Sequence, residues 1–133
     1  MRDYTQEAEA LFARVAERHS LRFEIDASAP VEVLWRFPKQ EQLSLPITLA
    51  LQNNDELNFG VAKFWSYLFP FPQVCDQFEE IVEAWVSGDA RVVTRLWGES
   101  LQLRDGSAWR SVYEAGQLWP NFKRPAPVYN QRP

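Results

Sequence analysis

Between residues 21 and 61 the apolar side chains recur at every second position, in four successive runs separated by turn-forming residues. Leu21, Phe23 and Ile25 alternate with Arg22, Glu24 and Asp26. Val31, Val33, Trp35 and Phe37 alternate with Glu32, Leu34 and Arg36. Leu43, Leu45, Ile47, Leu49 and Leu51 form the third run, and Leu57, Phe59 and Val61 the fourth. A period of two is the pattern of a strand with one buried face. The connections are too short for crossover helices, so neighbouring strands must pair antiparallel. Asn53-Asn54-Asp55 supplies turn chemistry, which makes the third and fourth runs a hairpin. Pro46 has no N–H to donate to a ladder and predicts an edge position or a bulge for the third strand.

Helical periodicity flanks this block. Tyr4, Ala8, Leu11, Phe12, Val15 and Ala16 form one apolar stripe ending near His19-Ser20, and Asp3 with Gln6 has the spacing of a capping box. A second stripe, Val74, Phe78, Ile81, Val82, Trp85 and Val86, ends before Gly88, a residue suited to the left-handed position after a helix. Its wet face carries Asp76, Glu79, Glu80 and Glu83. Three further strands follow: one around Val92, Thr94 and Leu96, a turn at Gly98-Glu99, one from Leu101 and Leu103, a hairpin signal at Asp105-Gly106, and a return over residues 108–113. The fold class expected is a two-layer α+β domain: a mainly antiparallel sheet of about seven strands, two amphipathic helices and a Pro-rich C-terminal arm. Residues 1–117 are expected to form the single domain. Residues 118–133 form the arm, which is expected to dock by its aromatics and to fray after about Val128.

The chain has 133 residues with 46% apolar content, enough for one core and too short for two ordinary domains. One cysteine, Cys75, excludes an internal disulfide and a cysteine-based zinc site. The polar, acidic start has no signal-peptide character, which points to a cytoplasmic protein without a membrane partner. The net charge of −4 is uneven: residues 1–60 carry −4, residues 61–88 carry −3, and residues 89–133 carry +3. Such a gradient can orient an encounter with a charged partner or with a second copy.

No catalytic constellation is visible. His19 stands alone at a helix end, and Cys75 sits beside Asp76, which opposes a thiolate; neither is expected to be catalytic. Asp76, Glu80 and Glu83 share a helix face, as a solvated surface requires and as a hard-cation site would too. Five scattered glycines exclude phosphate-loop and dinucleotide motifs, so neither cofactor nor metal is expected. Arg91, Arg95, Arg104 and Arg110 accompany Trp97, Trp109 and Tyr113, an interleaving that single-strand binders use. The acidic remainder of the chain opposes nucleic acid as a partner.

The most unusual stretch is residues 63–73. Two prolines and the five aromatics Phe64, Trp65, Tyr67, Phe69 and Phe71 exclude a regular helix or a central strand. A segment without a period cannot turn all five rings inward, so a loop with some of them exposed is expected. Together with Trp119 and Phe122 of the arm these residues are the candidate binding surface, either for another protein or for a second copy. The alternative is that they close the open end of the core.

The stretch Asp55-Glu56-Leu57-Asn58-Phe59-Gly60-Val61-Ala62-Lys63-Phe64-Trp65, followed by Phe69-Pro70 and by Ser87-Gly88-Asp89-Ala90-Arg91-Val92, resembles a segment shared by a family of small bacterial proteins with no assigned activity. The resemblance implies a small bacterial protein and no mechanism. In architecture the chain is also similar to class I type III secretion chaperones, although seven strands exceed that pattern. The function expected is therefore a non-catalytic interaction module, immunity-like or chaperone-like. The alternative is a binder of a small apolar ligand between sheet and second helix, lined by Trp35, Phe59, Trp65 and Trp85.

Overall fold

The structure is a computed structural model that describes residues 2–131. The chain begins with α1 (Thr5–His19), whose stripe Ala8, Leu11, Phe12, Val15 and Ala16 is buried. Its start is not the expected capping box: Tyr4 takes the N-cap position without a side-chain cap. Asp3 instead accepts from the Thr5 N–H at 2.8 Å, and the Tyr4 N–H donates to the Asn54 carbonyl at 3.1 Å. The helix stops where Ser20 turns left-handed (φ 53°), letting the Leu21 N–H close on the Ala16 carbonyl at 2.8 Å.

The first sheet contains β1 (Glu24–Ile25), β2 (Val33–Phe37), β3 (Ile47–Gln52), β4 (Glu56–Val61) and β5 (Phe64–Trp65), antiparallel in the order β1-β2-β3-β4-β5. Two expectations change here. The run beginning at Leu21 yields only a two-residue strand with both residues exposed. Leu21 is spent on packing the end of α1, and Phe23 stacks flat on Trp35 at 4.2 Å. The strand after Pro46 is central rather than at an edge, because Pro46 lies just before its first residue and no ladder donor is lost. Asn53 and Asn54, both at positive φ, make the β3–β4 turn.

A second sheet follows α2 (Phe71–Val86): β6 (Ala90–Arg95), β7 (Gly98–Asp105), β8 (Ala108–Gly116) and β9 (Val128–Tyr129), antiparallel in the order β8-β7-β6-β9. The expected single sheet of about seven strands is thus, among the described residues, nine strands in two sheets, and it is no closed barrel. The reason is the width of the stripe on α2. The helix that buries Phe78, Ile81, Val82, Trp85 and Val86 contacts β4 of one sheet and β6 and β7 of the other, so a single helix serves two ladders and one core runs through both. The turn expected at Gly98-Glu99 lies at Leu96 and Trp97. Gly98 instead opens β7 at φ 142°, where a Cβ would lie 1.9 Å from the Ala115 carbonyl oxygen. The hairpin signal at Asp105-Gly106 is met by a two-residue loop of Gly106 and Ser107.

The C-terminal segment corrects a further expectation. Residues 129–131 do not fray: Val128–Tyr129 pair with Val92 and Arg91 of β6, and the Gln131 N–H donates to the Ser44 hydroxyl at 2.8 Å, while the rest of that expectation falls on residues 132–133, outside the described residues. Asn130 is buried, and its side chain accepts from the Ser44 N–H at 2.8 Å while donating to the carbonyls of Gln42 (2.8 Å) and Val86 (2.9 Å). The Val86 bond satisfies one of the orphan carbonyls at the end of α2. Nor does the segment dock by its aromatics. Backbone pairing and the side-chain amides of Asn121 and Asn130 hold it, while the rings of Trp119 and Phe122 face solvent.

Candidate functional site

The seven candidate binding residues divide. Phe64 and Phe71 are buried, which corrects their assignment to a surface. Register explains Phe64: it pairs with Val61, packs on Phe59, and meets Tyr113 of β8 edge-on at 5.8 Å. Phe71 is the first residue of α2, not part of a loop, because Pro70 and Pro72 suit a helix start; it stacks on Tyr4 at 4.8 Å. Trp65 is half-buried, its indole lying over Gly60 where a Cβ would come within 2.6 Å. Tyr67 and Phe69 remain 49% and 58% exposed, and the Tyr67 N–H donates to the Tyr113 hydroxyl across the two sheets at 2.9 Å.

Trp119 and Phe122 are 79% and 87% exposed, and three residues outside the candidate binding set accompany them: Leu96, expected in a strand, Trp97, expected among the basic–aromatic residues, and Leu118. Leu96 and Trp97 form the β6–β7 turn, and Leu118 adjoins Trp119; all three are exposed. Hydrogen bonds hold these segments side by side. The Gln117 N–H donates to the Trp97 carbonyl at 3.1 Å, the Asn121 N–H to the Leu96 carbonyl at 2.7 Å, and the Asn121 side chain to the Arg95 carbonyl at 2.8 Å. Five large apolar side chains therefore gather at one end of the second sheet on an ordered backbone. Single exposed apolar residues need no explanation, but a group of five does. The signal missed was the turn itself: a hairpin tip made of Leu and Trp rather than Gly, Asn or Asp.

Beside this tip lies a cleft of about 780 Å3. One wall is residues 120–125, tied upstream by Asn121 and downstream by β9; the other is Lys63 in the β4–β5 turn. Thr94 and Glu99, cross-strand partners on β6 and β7, also line it. Lys63, Lys123 and Arg124 bring three cations, against the single carboxylate of Glu99. Burial holds the Glu99 carboxyl above its ordinary range, and Lys63 pulls it partly back. Phe122 belongs to both the cleft and the apolar tip.

The other candidates are engaged within the chain. Glu79 accepts from Arg14 at 2.7 Å, Arg18 pairs with both Glu79 and Glu83, and His19 Nε2 faces Glu83, so the wet face of α2 is a seam with α1. The Arg14 hydrogen bond holds the Glu79 carboxyl below its ordinary range. Glu80 pairs with Arg110 at 3.4 Å. Among the described residues, no group of three or more His, Cys, Asp or Glu is placed to hold a metal ion. Cys75 is half-buried, with its sulfur 3.9 Å from the Pro72 carbonyl. Trp109 lies under the guanidinium groups of both Arg91 and Arg104, at 4.2 and 4.5 Å. Trp35, Phe59 and Trp85 are buried, packed against Phe12 and Phe23 (Trp35) and against each other (Phe59 and Trp85, 5.6 Å).

Among the described residues no helix is long and apolar enough to cross a membrane. Comparison of the chain with family models, with curated proteins and with solved structures found no match.

Proposed function

We propose that this chain is a non-catalytic interaction module that binds another protein through the apolar tip of its second sheet. The observation that carries this is the grouping of Leu96, Trp97, Leu118, Trp119 and Phe122 on a backbone ordered by hydrogen bonds, in a protein whose core is packed without them. Large rings on a stiff support are the usual anchors of interfaces, since little entropy is lost when they dock. The cations Lys63, Lys123 and Arg124 beside the tip favour a partner with an acidic surface, and they oppose a two-fold dimer through this same face, which would bring like charges together. Tyr67 and Phe69, also exposed, are a second candidate patch. The apolar-ligand alternative has less support, because Trp35, Phe59 and Trp85 pack against the chain's own side chains.

A photo-crosslinking residue at position 119 tests the proposal in extracts of cells that make the protein. A discrete heterologous adduct is expected, abolished by Trp97→Ala, while the same crosslinker at exposed Glu17 gives none. Sedimentation velocity of the isolated chain should show a monomer. A dimer abolished by Trp97→Ala would assign the surface to a second copy, and equal labelling from positions 17 and 119 would remove the proposal.

A further inference from the structure

We infer that the cleft between residues 120–125 and Lys63 seats an acidic, extended segment of the partner protein, whose apolar part lies on the neighbouring tip; this rests on the interaction reading above and adds the chemistry of the ligand. Three features of the cleft converge on that ligand. The first is charge. On a chain of net charge −4, Lys63, Lys123 and Arg124 meet in one concavity, where low-dielectric walls concentrate their field. Only Glu99 opposes them among the lining residues, and its burial already disfavours its charged form.

The second is preorganisation. The wall formed by residues 120–125 contains Pro120 and Pro125, and both ends are tied to β6, by Asn121 at the Arg95 carbonyl and by Val128–Tyr129 in the ladder. A ligand entering it therefore orders little that is not already ordered.

The third is continuity. Phe122 lines the cleft and belongs to the apolar tip, so an anion seated among the cations touches the apolar surface at once. A lone phosphate or small carboxylate would use the cations and leave Trp97, Leu118 and Trp119 uncovered. A peptide strand bearing carboxylates on one part and apolar groups on the next covers both. A volume of about 780 Å3 also exceeds what a single small anion fills and suits several residues of chain.

The test is fluorescence anisotropy with a labelled peptide rich in Asp, Glu and Pro and carrying one Leu and one Phe. Its charge-inverted Lys/Arg counterpart, inorganic phosphate as competitor, and vesicles of phosphatidylglycerol with phosphatidylcholine are run alongside. The acidic peptide is expected to bind, more weakly as salt rises. Lys123→Glu with Arg124→Glu should weaken it by roughly tenfold or more, while Glu99→Gln tightens it a few-fold by removing the opposing charge. The Lys123/Arg124 variant should keep the wild-type unfolding midpoint, since those side chains sit at the rim of the fold, while Glu99→Gln should raise it slightly by removing a partly buried charge. If both peptides bind alike and Trp97→Ala abolishes both, the interaction surface stands and the acidic seat falls. If neither binds while the crosslinker at position 119 still yields its adduct, the seat again falls alone. Phosphate that displaces the acidic peptide completely at low concentration would make the cleft a small-anion site and overturn the inference. Binding to the vesicles in place of the peptides would overturn both readings.

Discussion

Residues 63–73 and residues 117–125 are alike in composition, each rich in proline and aromatic residues and without a period, yet they treat their rings in opposite ways. The first stretch threads between two sheets. Phe64 and Leu68 fall into register with Val61 and Leu57, and Phe71 is taken up by the start of α2. Neighbours above and below then bury three of its apolar side chains. The second stretch runs past a hairpin tip, with nothing packed on its outer side, and is held by the backbone of Gln117 and Asn121 and the Asn121 amide. Its rings stay out. The difference teaches that aromatic content by itself does not distinguish lid from anchor. What decides is whether backbone pairing places the side chains between layers or merely fixes the chain at a rim.

Paired substitutions test that contrast. Phe64→Ala should cost about 3–5 kcal/mol in urea unfolding, because it empties a site enclosed by Phe59 and Tyr113. A cost near zero would mean the loop is no part of the core. Asn130→Ala should cost about 2 kcal/mol, since the Ser44 N–H and two carbonyls lose a buried partner. Hydrogen exchange should then rise at Val128 and Tyr129 and stay unchanged in β3 and β4.

Two carboxylates should respond to pH with opposite signs. Glu79 is held below its ordinary range by Arg14, so its contribution is present above the ordinary carboxylate value and is lost as pH falls through the lowered one. Glu99 is held above its range by burial, so stability declines as pH rises from the ordinary value through the raised one. At neutral pH Glu79→Gln should therefore destabilise and Glu99→Gln stabilise, each by less than about 1 kcal/mol after solvent screening. Equal signs would break the contrast. The smallest effect belongs to Phe122→Ala, within about 0.5 kcal/mol of wild type in unfolding, with its consequence confined to association.

Much of the fold was legible because periodicity is a local signal. The stripes of α1 and α2 and the alternation of β2, β3 and β4 could be read directly, since one buried face per element is enough to write the pattern. The division into two sheets was not legible. It depends on the whole width of α2 touching both ladders, a tertiary fact that a stripe of six residues does not reveal. Leu21 illustrates the same limit: its spacing fits a strand, but the end of α1 claims it. Of the candidate site, Trp119 and Phe122 stood out by composition in an aperiodic segment. Leu96 and Trp97 did not stand out as an exposed tip: Leu96 looks like the continuation of a strand and Trp97 like a member of the arginine–aromatic interleaving until the turn is placed. The cleft was out of reach altogether, since Lys63 belongs to the first sheet and Lys123 to the segment that β9 ties to the second, and the two meet only in the folded arrangement of both sheets.

The Asn130 clasp also has a kinetic meaning. It joins positions separated by 44, 86 and 88 residues, bringing the end of α2, the Gln42–Ser44 turn region and the last strand to one amide. Closing so long a loop yields nothing until both layers that it bridges already exist. Asn130→Ala is therefore expected to speed unfolding and leave the folding rate nearly unchanged in stopped-flow kinetics, and an equal slowing of folding would mean that the clasp forms early.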